Sequence, residues 1–290
     1  MLSLSRRFLY GVLTLWLLAF VPSTDAQRLL SRAELGVAIG GMNYIGDLNR
    51  QHLDGAVNPA AGLFARYLMG DRWAAAVSVS YGRVEGGDPD AESLRNLSFR
   101  SHILEGSLRV EFNFVPFGND GYRFRTTPYL FVGVGCFHYN PEAYYRDPST
   151  GHARWIALQP LHTEGQGSAT YPNRDPYRLI QMTVPFGLGF KMALSDNMTL
   201  AFEYGYRFTR TDYLDDVSTT YVGAELLGEG STAALLADRS GEVSPGYINA
   251  AGIQRGDDSL DDAYAFFNLS LTLNMEMLFG WLHSKKCEIK

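Results

Sequence analysis

In the stretch YAFFNLSLTLNMEM, Tyr264 to Met277, the residues Phe267, Leu269, Leu271, Leu273, Met275 and Met277 fall on one side of an extended chain. Asn268, Ser270, Thr272, Asn274 and Glu276 fall on the other. A period of two marks a strand with one apolar face. In a soluble sandwich that face would pack on a second sheet. Here most other strand-like stretches show the same split with charges on the polar side, so the apolar side is outermost and the polar side inside. That inverted pattern is what a transmembrane β-barrel requires.

Seven further stretches fit the pattern: 33–43, 60–69, 73–83, 101–115, 127–139, 178–193 and 198–210. In 101–115, Leu104, Leu108, Val110, Phe112 and Phe114 oppose Glu105, Ser107, Arg109, Glu111 and Asn113. In 178–193, Ile180, Met182, Val184, Phe186, Leu188 and Phe190 oppose Gln181, Thr183 and Lys191. The segment 127–139 is ambiguous, because both of its faces are apolar or aromatic. The expected fold is all-β, an eight-stranded antiparallel transmembrane β-barrel over residues 27–280. The inward set predicts an ionic network in the lumen, with Glu34, Glu105, Glu111, Glu203 and Glu276 against Arg66, Arg109, Lys191 and Arg207. Eight strands enclose little more than their own side chains, so a plugged bore is expected rather than a diffusion pore.

Composition agrees with that reading. Aromatic residues make up 13% and charged residues 19% of the 290 residues, and the mean hydropathy is -0.12, far from that of a helical membrane protein. Only alternate residues of a barrel strand face lipid, which keeps the average low. A net charge of -6 argues against nucleic acid as a partner.

Arg6 and Arg7 precede an apolar run from Phe8 to Val21, followed by Thr24-Asp25-Ala26. This predicts a cleaved signal peptide over residues 1–26. The run is shorter than the roughly 20 apolar residues that a spanning helix needs. With both chain termini on the periplasmic side, as an even number of strands leaves them, residues 281–290 are expected to form a polar periplasmic tail. The loops set this orientation: Gly70-Asp71-Arg72, 118–121 and Ser195-Asp196-Asn197 are short, the intervening connections are long, and bacterial barrels keep their short turns in the periplasm. The same topology puts Cys136 and Cys287 at opposite ends, so no disulfide is expected.

Catalysis and metal binding find no support in spacing. None of the six histidines stands in a catalytic or helix-borne metal motif. Asp212, Asp215, Asp216 and Asp257, Asp258, Asp261, Asp262 lack the spacing of a calcium loop and read as solvated loop charge. No catalytic residue, cofactor or metal is expected. A basic tail with Lys285, Lys286 and Lys290 suits anionic headgroups, a periplasmic partner or a frayed end equally well.

The stretches NYIGDLN (43–49), PYLFVGVG (128–135), LQPL with TEGQG (158–167), PFGLG (185–189) and TDYLDDVS (211–218) follow one another along the mature chain. As an ordered set they resemble the PorG family, a small outer-membrane barrel component of type IX protein secretion systems. The resemblance implies a non-enzymatic outer-membrane barrel that anchors a periplasmic ring built from a lipoprotein and its soluble partner. With the topology above, contacts would come from the turns at Asp71, Asn119 and Asp196 or from the tail at Lys285 and Lys286. The other functional readings are a stand-alone structural or adhesive barrel acting through its long loops, and a lipid-modifying enzyme using His138.

Overall fold

The computed structural model describes residues 31–49, 56–88, 94–118, 124–147 and 150–277. The expected signal peptide, Asn119, and the expected tail with Lys285, Lys286 and Cys287 lie outside the described residues.

Among the described residues there are ten strands: β1 (Ala33–Ile45), β2 (Asn58–Leu68), β3 (Trp73–Gly87), β4 (Ser98–Asn113), β5 (Thr126–His138), β6 (Pro141–Arg146), β7 (Ala153–Ala157), β8 (Ile180–Ser195), β9 (Met198–Thr209) and β10 (Ala263–Asn274). Eight of them, β1–β5 and β8–β10, pair antiparallel each with the next, and β10 returns to β1 with Leu271 opposite Val37. The barrel is therefore closed and leaves no open edge. Closure is what allows strands to satisfy their backbone polar groups in hydrocarbon.

The faces follow the alternation. Ile39, Leu63, Leu108, Val132, Leu188 and Phe202 are exposed on the outer wall, whereas Arg66, Glu105, Glu111, Lys191 and Glu203 are buried within it. In β5, where the sequence was ambiguous, Leu130, Val132 and Val134 face out and Tyr129, Phe131 and Phe137 face in. Those inner aromatics have a purpose: Tyr129 and Phe131 lie against lumen cations, and Phe137 joins a conventional apolar core above them.

Strand β10 ends at Asn274, short of the expected Met277. The Asn274 side-chain oxygen accepts the Glu276 amide, and residues 275–277 turn into a helical conformation. The ladder with β9 ends where Leu273 lies opposite Met198, and the last backbone bond is from the Asn274 amide to the Asn197 carbonyl in the turn before β9. Glu276 is therefore exposed beyond the strand and does not belong to the lumen network.

Two long connections carry structure that alternation did not reveal. Residues 140–176 contain the β6–β7 hairpin, which extends the barrel wall by pairing Glu142 with Arg100 of β4. The Arg100 guanidinium sits 3.7 Å over the Trp155 ring, holding the hairpin to β4. Residues 211–262 contain three short helices, α1 (Ala224–Leu227), α2 (Thr232–Ala237) and α3 (Ser240–Val243). No helix among the described residues is long and apolar enough to cross a membrane; the crossing elements are strands.

Candidate functional site

Three regions along the barrel axis hold the chemistry: an ion lattice in the bore, a sealed cap at the long-loop end and an open mouth at the turn end.

The lattice is built from every second residue of neighbouring strands. Glu34 of β1 stands opposite Arg66 of β2, and their side chains meet at 3.0 Å. Glu111 gathers three cations: Lys191 Nζ at 2.6 Å, Arg66 Nε at 2.9 Å and Arg109 at 3.1 Å. The Arg66 Nε contact is ionic in distance but lacks hydrogen-bond alignment. Arg109 also reaches Glu203 at 2.8 Å, and Arg207 Nε donates to Glu105 at 3.1 Å. Tyr129 and Tyr264 donate to Glu203 and Glu105 at 2.8 and 2.7 Å.

Four carboxylates (Glu34, Glu105, Glu111, Glu203) thus face four cations (Arg66, Arg109, Lys191, Arg207), which balances the charge of the bore. Buried ions persist only when paired, and each of these has an opposite charge within 3.1 Å, although Arg66 Nε, Arg109 Nε and Glu111 Oε1 lack an aligned hydrogen bond. Phe131 covers Arg109 at 4.8 Å and Tyr129 covers Lys191 at 4.2 Å, adding cation–π attraction. Gly205 leaves the room this needs: a Cβ there would lie 2.1 Å from an Arg207 nitrogen and 2.8 Å from Phe131.

Above the lattice, Met42, Tyr44, Ile103, Phe137, Tyr139, Tyr264 and Phe266 form an apolar core with Leu48, Leu214, Val217 and Leu236 from the loops. The motifs TEGQG and TDYLDDVS lie here, folded over the barrel. Glu164, fully buried, accepts from the Ser218 and Thr219 amides at 3.0 Å, from the Thr219 hydroxyl at 2.6 Å and from Arg255 at 2.9 Å. Asp216 accepts from Thr163 at 2.5 Å and from Tyr177 at 2.6 Å. Gly165 and Gly167 adopt φ of 73° and 74°, which lets TEGQG fold back on itself.

The reading of the loop acids as solvated charge is therefore corrected for Asp215, Asp216 and Asp262, which are buried, whereas Asp258 and Asp261 are exposed. Partners distant in sequence (Tyr44, Thr163, Tyr177 and Arg255) make that burial tolerable, and spacing within the loop gives no sign of them. Burial raises the Asp216 carboxyl to about 6 and Asp212 to about 8, Arg255 holding the former down. Among the described residues, no group of His, Cys, Asp and Glu has the geometry to hold a metal ion.

At the other end, a cavity of about 430 Å³ opens between the turns. It is lined by Ser31, Arg32, Glu34, Asp71, Asp196, Asn197 and Asn274 among others. Asp71 and Asp196 thus both lie on the lining of this mouth. Asp196 is exposed, 3.9 Å from Arg125. Cys136 is a free thiol on the outer wall of β5. His138 is exposed at the end of the same strand.

A closed eight-stranded barrel with an apolar outer band and a polar, plugged bore defines a membrane barrel of the outer-membrane type. More particularly, the chain belongs to the family described as Domain of unknown function (DUF6089), whose model matches residues 9–154, just over half of its length. No curated protein matches the sequence. Among solved structures, the chain is similar to Neisserial surface protein A (11% identity, TM-score 0.36, covering 84% of this chain and 97% of that one). It is also similar to Ail, the attachment invasion locus protein of Yersinia pestis (10%, 0.38, 83% and 96%), and to OprG from Pseudomonas aeruginosa (11%, 0.38, 84% and 97%). These likenesses are distant, and the fold stands on its own strand pairing.

Proposed function

We propose that this chain is a non-conducting, non-enzymatic outer-membrane barrel that anchors the periplasmic ring of a type IX protein secretion machine. The observation that carries the reading is the filled bore: Glu111 with Lys191, Arg66 and Arg109 occupies the passage, and a packed cap lies over its long-loop end. A barrel closed in this way works through its ends and its wall. The turn-end mouth, with Asp71 and Asp196 on its rim, is the surface offered to periplasmic partners, a ring lipoprotein and its soluble companion. The choice of machine rests on the resemblance of the ordered motifs to the PorG family. Outer-membrane lipid is the remaining partner, through the apolar wall.

The test is co-purification of the tagged protein from outer membranes in mild detergent, comparing the full chain with one ending at Gly280. Ring proteins recovered with the full chain support anchoring, and their loss from the shortened chain places the contact in residues 281–290. Recovery with both moves the contact to the turns. A barrel that emerges alone, under conditions that preserve the ring, removes the anchoring role.

A further inference from the structure

The seam between cap and barrel contains a contact that one hydroxyl cannot make alone. Tyr44, at the end of β1, is fully buried, with its oxygen 2.6 Å from Asp215 Oδ2 and 2.7 Å from Asp262 Oδ1. Each of those carboxyls has its other oxygen committed to a backbone amide: Val217 donates to Asp215 Oδ1 at 2.8 Å, and Leu214 donates to Asp262 Oδ2 at 2.8 Å. A tyrosine hydroxyl has one proton to give and lone pairs to accept with. It can donate to one carboxylate only. The second short contact is a hydrogen bond only when that carboxyl keeps a proton of its own and donates it to the Tyr44 oxygen. Without that proton, two buried carboxylates face each other across one hydroxyl.

We infer that Asp215, Tyr44 and Asp262 form a proton-held latch that fastens the 211–218 segment, and with it the cap, over the barrel's long-loop end. The position of the latch gives it leverage. Asp262 immediately precedes β10, Tyr44 closes β1, and Asp215 lies in the segment that seals the core through Leu214 and Val217. Gly46 has no side chain to intrude, since a Cβ there would lie 1.9 Å from Asp262 Oδ1 and 2.1 Å from the Tyr44 oxygen.

The surroundings keep the proton in place. Burial is the largest cause for both acids. It brings Asp215 up to about 7, and it raises Asp262 well above the usual carboxylate range, helped by the Asp215 charge. The other charged groups acting on the pair are Asp47 from the β1–β2 connection, Asp212 from the same loop, and the cations Arg95 and Arg255, with Asp216 and Glu164 one step further out as the partners of Arg255. Asp47 and Asp212 push toward protonation, and Arg255 opposes it. An opened cap would return these acids to water and to ordinary values, so the closed cap binds more protons than the open one. Closure is therefore strongest at low pH and is lost as pH rises toward 7.

The experiment is amide hydrogen exchange on the intact barrel in nanodiscs, read at Leu214 and Val217 between pH 5 and pH 7 and corrected for intrinsic exchange. Each proton released on opening raises the open fraction about tenfold per pH unit. Asp212 and Asp216 add to the slope in the native chain, so the diagnostic is the difference made by D262N. An asparagine there still accepts from Leu214 and supplies a permanent N–H to Tyr44, so the slope should fall by about tenfold per pH unit, with protection kept at pH 7. D215N makes the same exchange on the other side and carries the test if D262N gives no folded barrel. Y44F removes the bridge and should lose protection at pH 5. An Asn variant with the slope of the native chain, or Y44F with native protection at pH 5, overturns the latch.

Discussion

Replacing Glu111 by Gln tests whether the bore is held by charge. The carboxylate is fully buried and meets Lys191 at 2.6 Å, Arg66 at 2.9 Å and Arg109 at 3.1 Å. At an effective dielectric of about 20, one such contact carries about 6 kcal/mol of gross attraction. Desolvation and repulsion among the three cations offset most of that. What the variant exposes is the set of partners left behind. Arg66 keeps Glu34 at 3.0 Å and Arg109 keeps Glu203 at 2.8 Å, whereas Lys191 retains Asn113 at 3.0 Å as its polar contact. One buried cation is thus stranded rather than three. The expected loss is about 3 kcal/mol, the low end of the range for breaking a buried pair. The assay is guanidinium unfolding in detergent followed by heat-modifiable mobility, on E111Q, K191M and the double variant. Removing both partners leaves no stranded charge, so the double variant should be less destabilised than the sum by about 1–3 kcal/mol. A strictly additive double variant, or an E111Q barrel as stable as the native one, would refute the reasoning.

Three further outcomes are expected. Leu269→Arg, on the outer wall between Ile39 and Phe202, should destabilise the barrel by about 2–4 kcal/mol in the same unfolding assay, as a cation near the bilayer midplane does. Gly46→Ala should cost about 1–3 kcal/mol and loosen the cap, seen as faster exchange at Leu214, because its methyl would collide with Asp262 and Tyr44. The purified native barrel in planar bilayers should show no steady conductance, since side chains fill a bore of eight strands; ohmic current of pore size would contradict the filled lattice.

The barrel was legible because its rule is local. Period-two alternation along Tyr264 to Asn274, or along Leu104 to Asn113, places each side chain by its number alone, and the charges of the bore inherit their position from that phase. Failures came where non-local pairing takes over. Glu276 has the phase of an inward residue, but β9 and β1 offer it no backbone partner, so the strand stops before it. In β5, Phe131 and Phe137 read as outward as easily as Val132, because what keeps them inside is an arginine on β4 and a core built partly from loops.

The cap was the larger omission. Asp215, Asp216 and Asp262 look like solvent-facing acids within their own segments; their partners Tyr44, Tyr177 and Arg255 lie far away in sequence. The signal was present in NYIGDLN, TEGQG and TDYLDDVS, which stand out as motifs without any alternation. The structure brings all three to one place.

The anchoring claim is tested most directly by photo-crosslinking in living cells from single sites at the two ends of the barrel. A crosslinker at Asp71 or Asp196, on the turn-end rim, should capture the ring lipoprotein or its soluble partner, whereas one at Ile248, exposed on the cap, should capture neither. Ring adducts from Ile248 with none from the turns would reverse the orientation, and no ring adducts from any site would contradict the anchor itself.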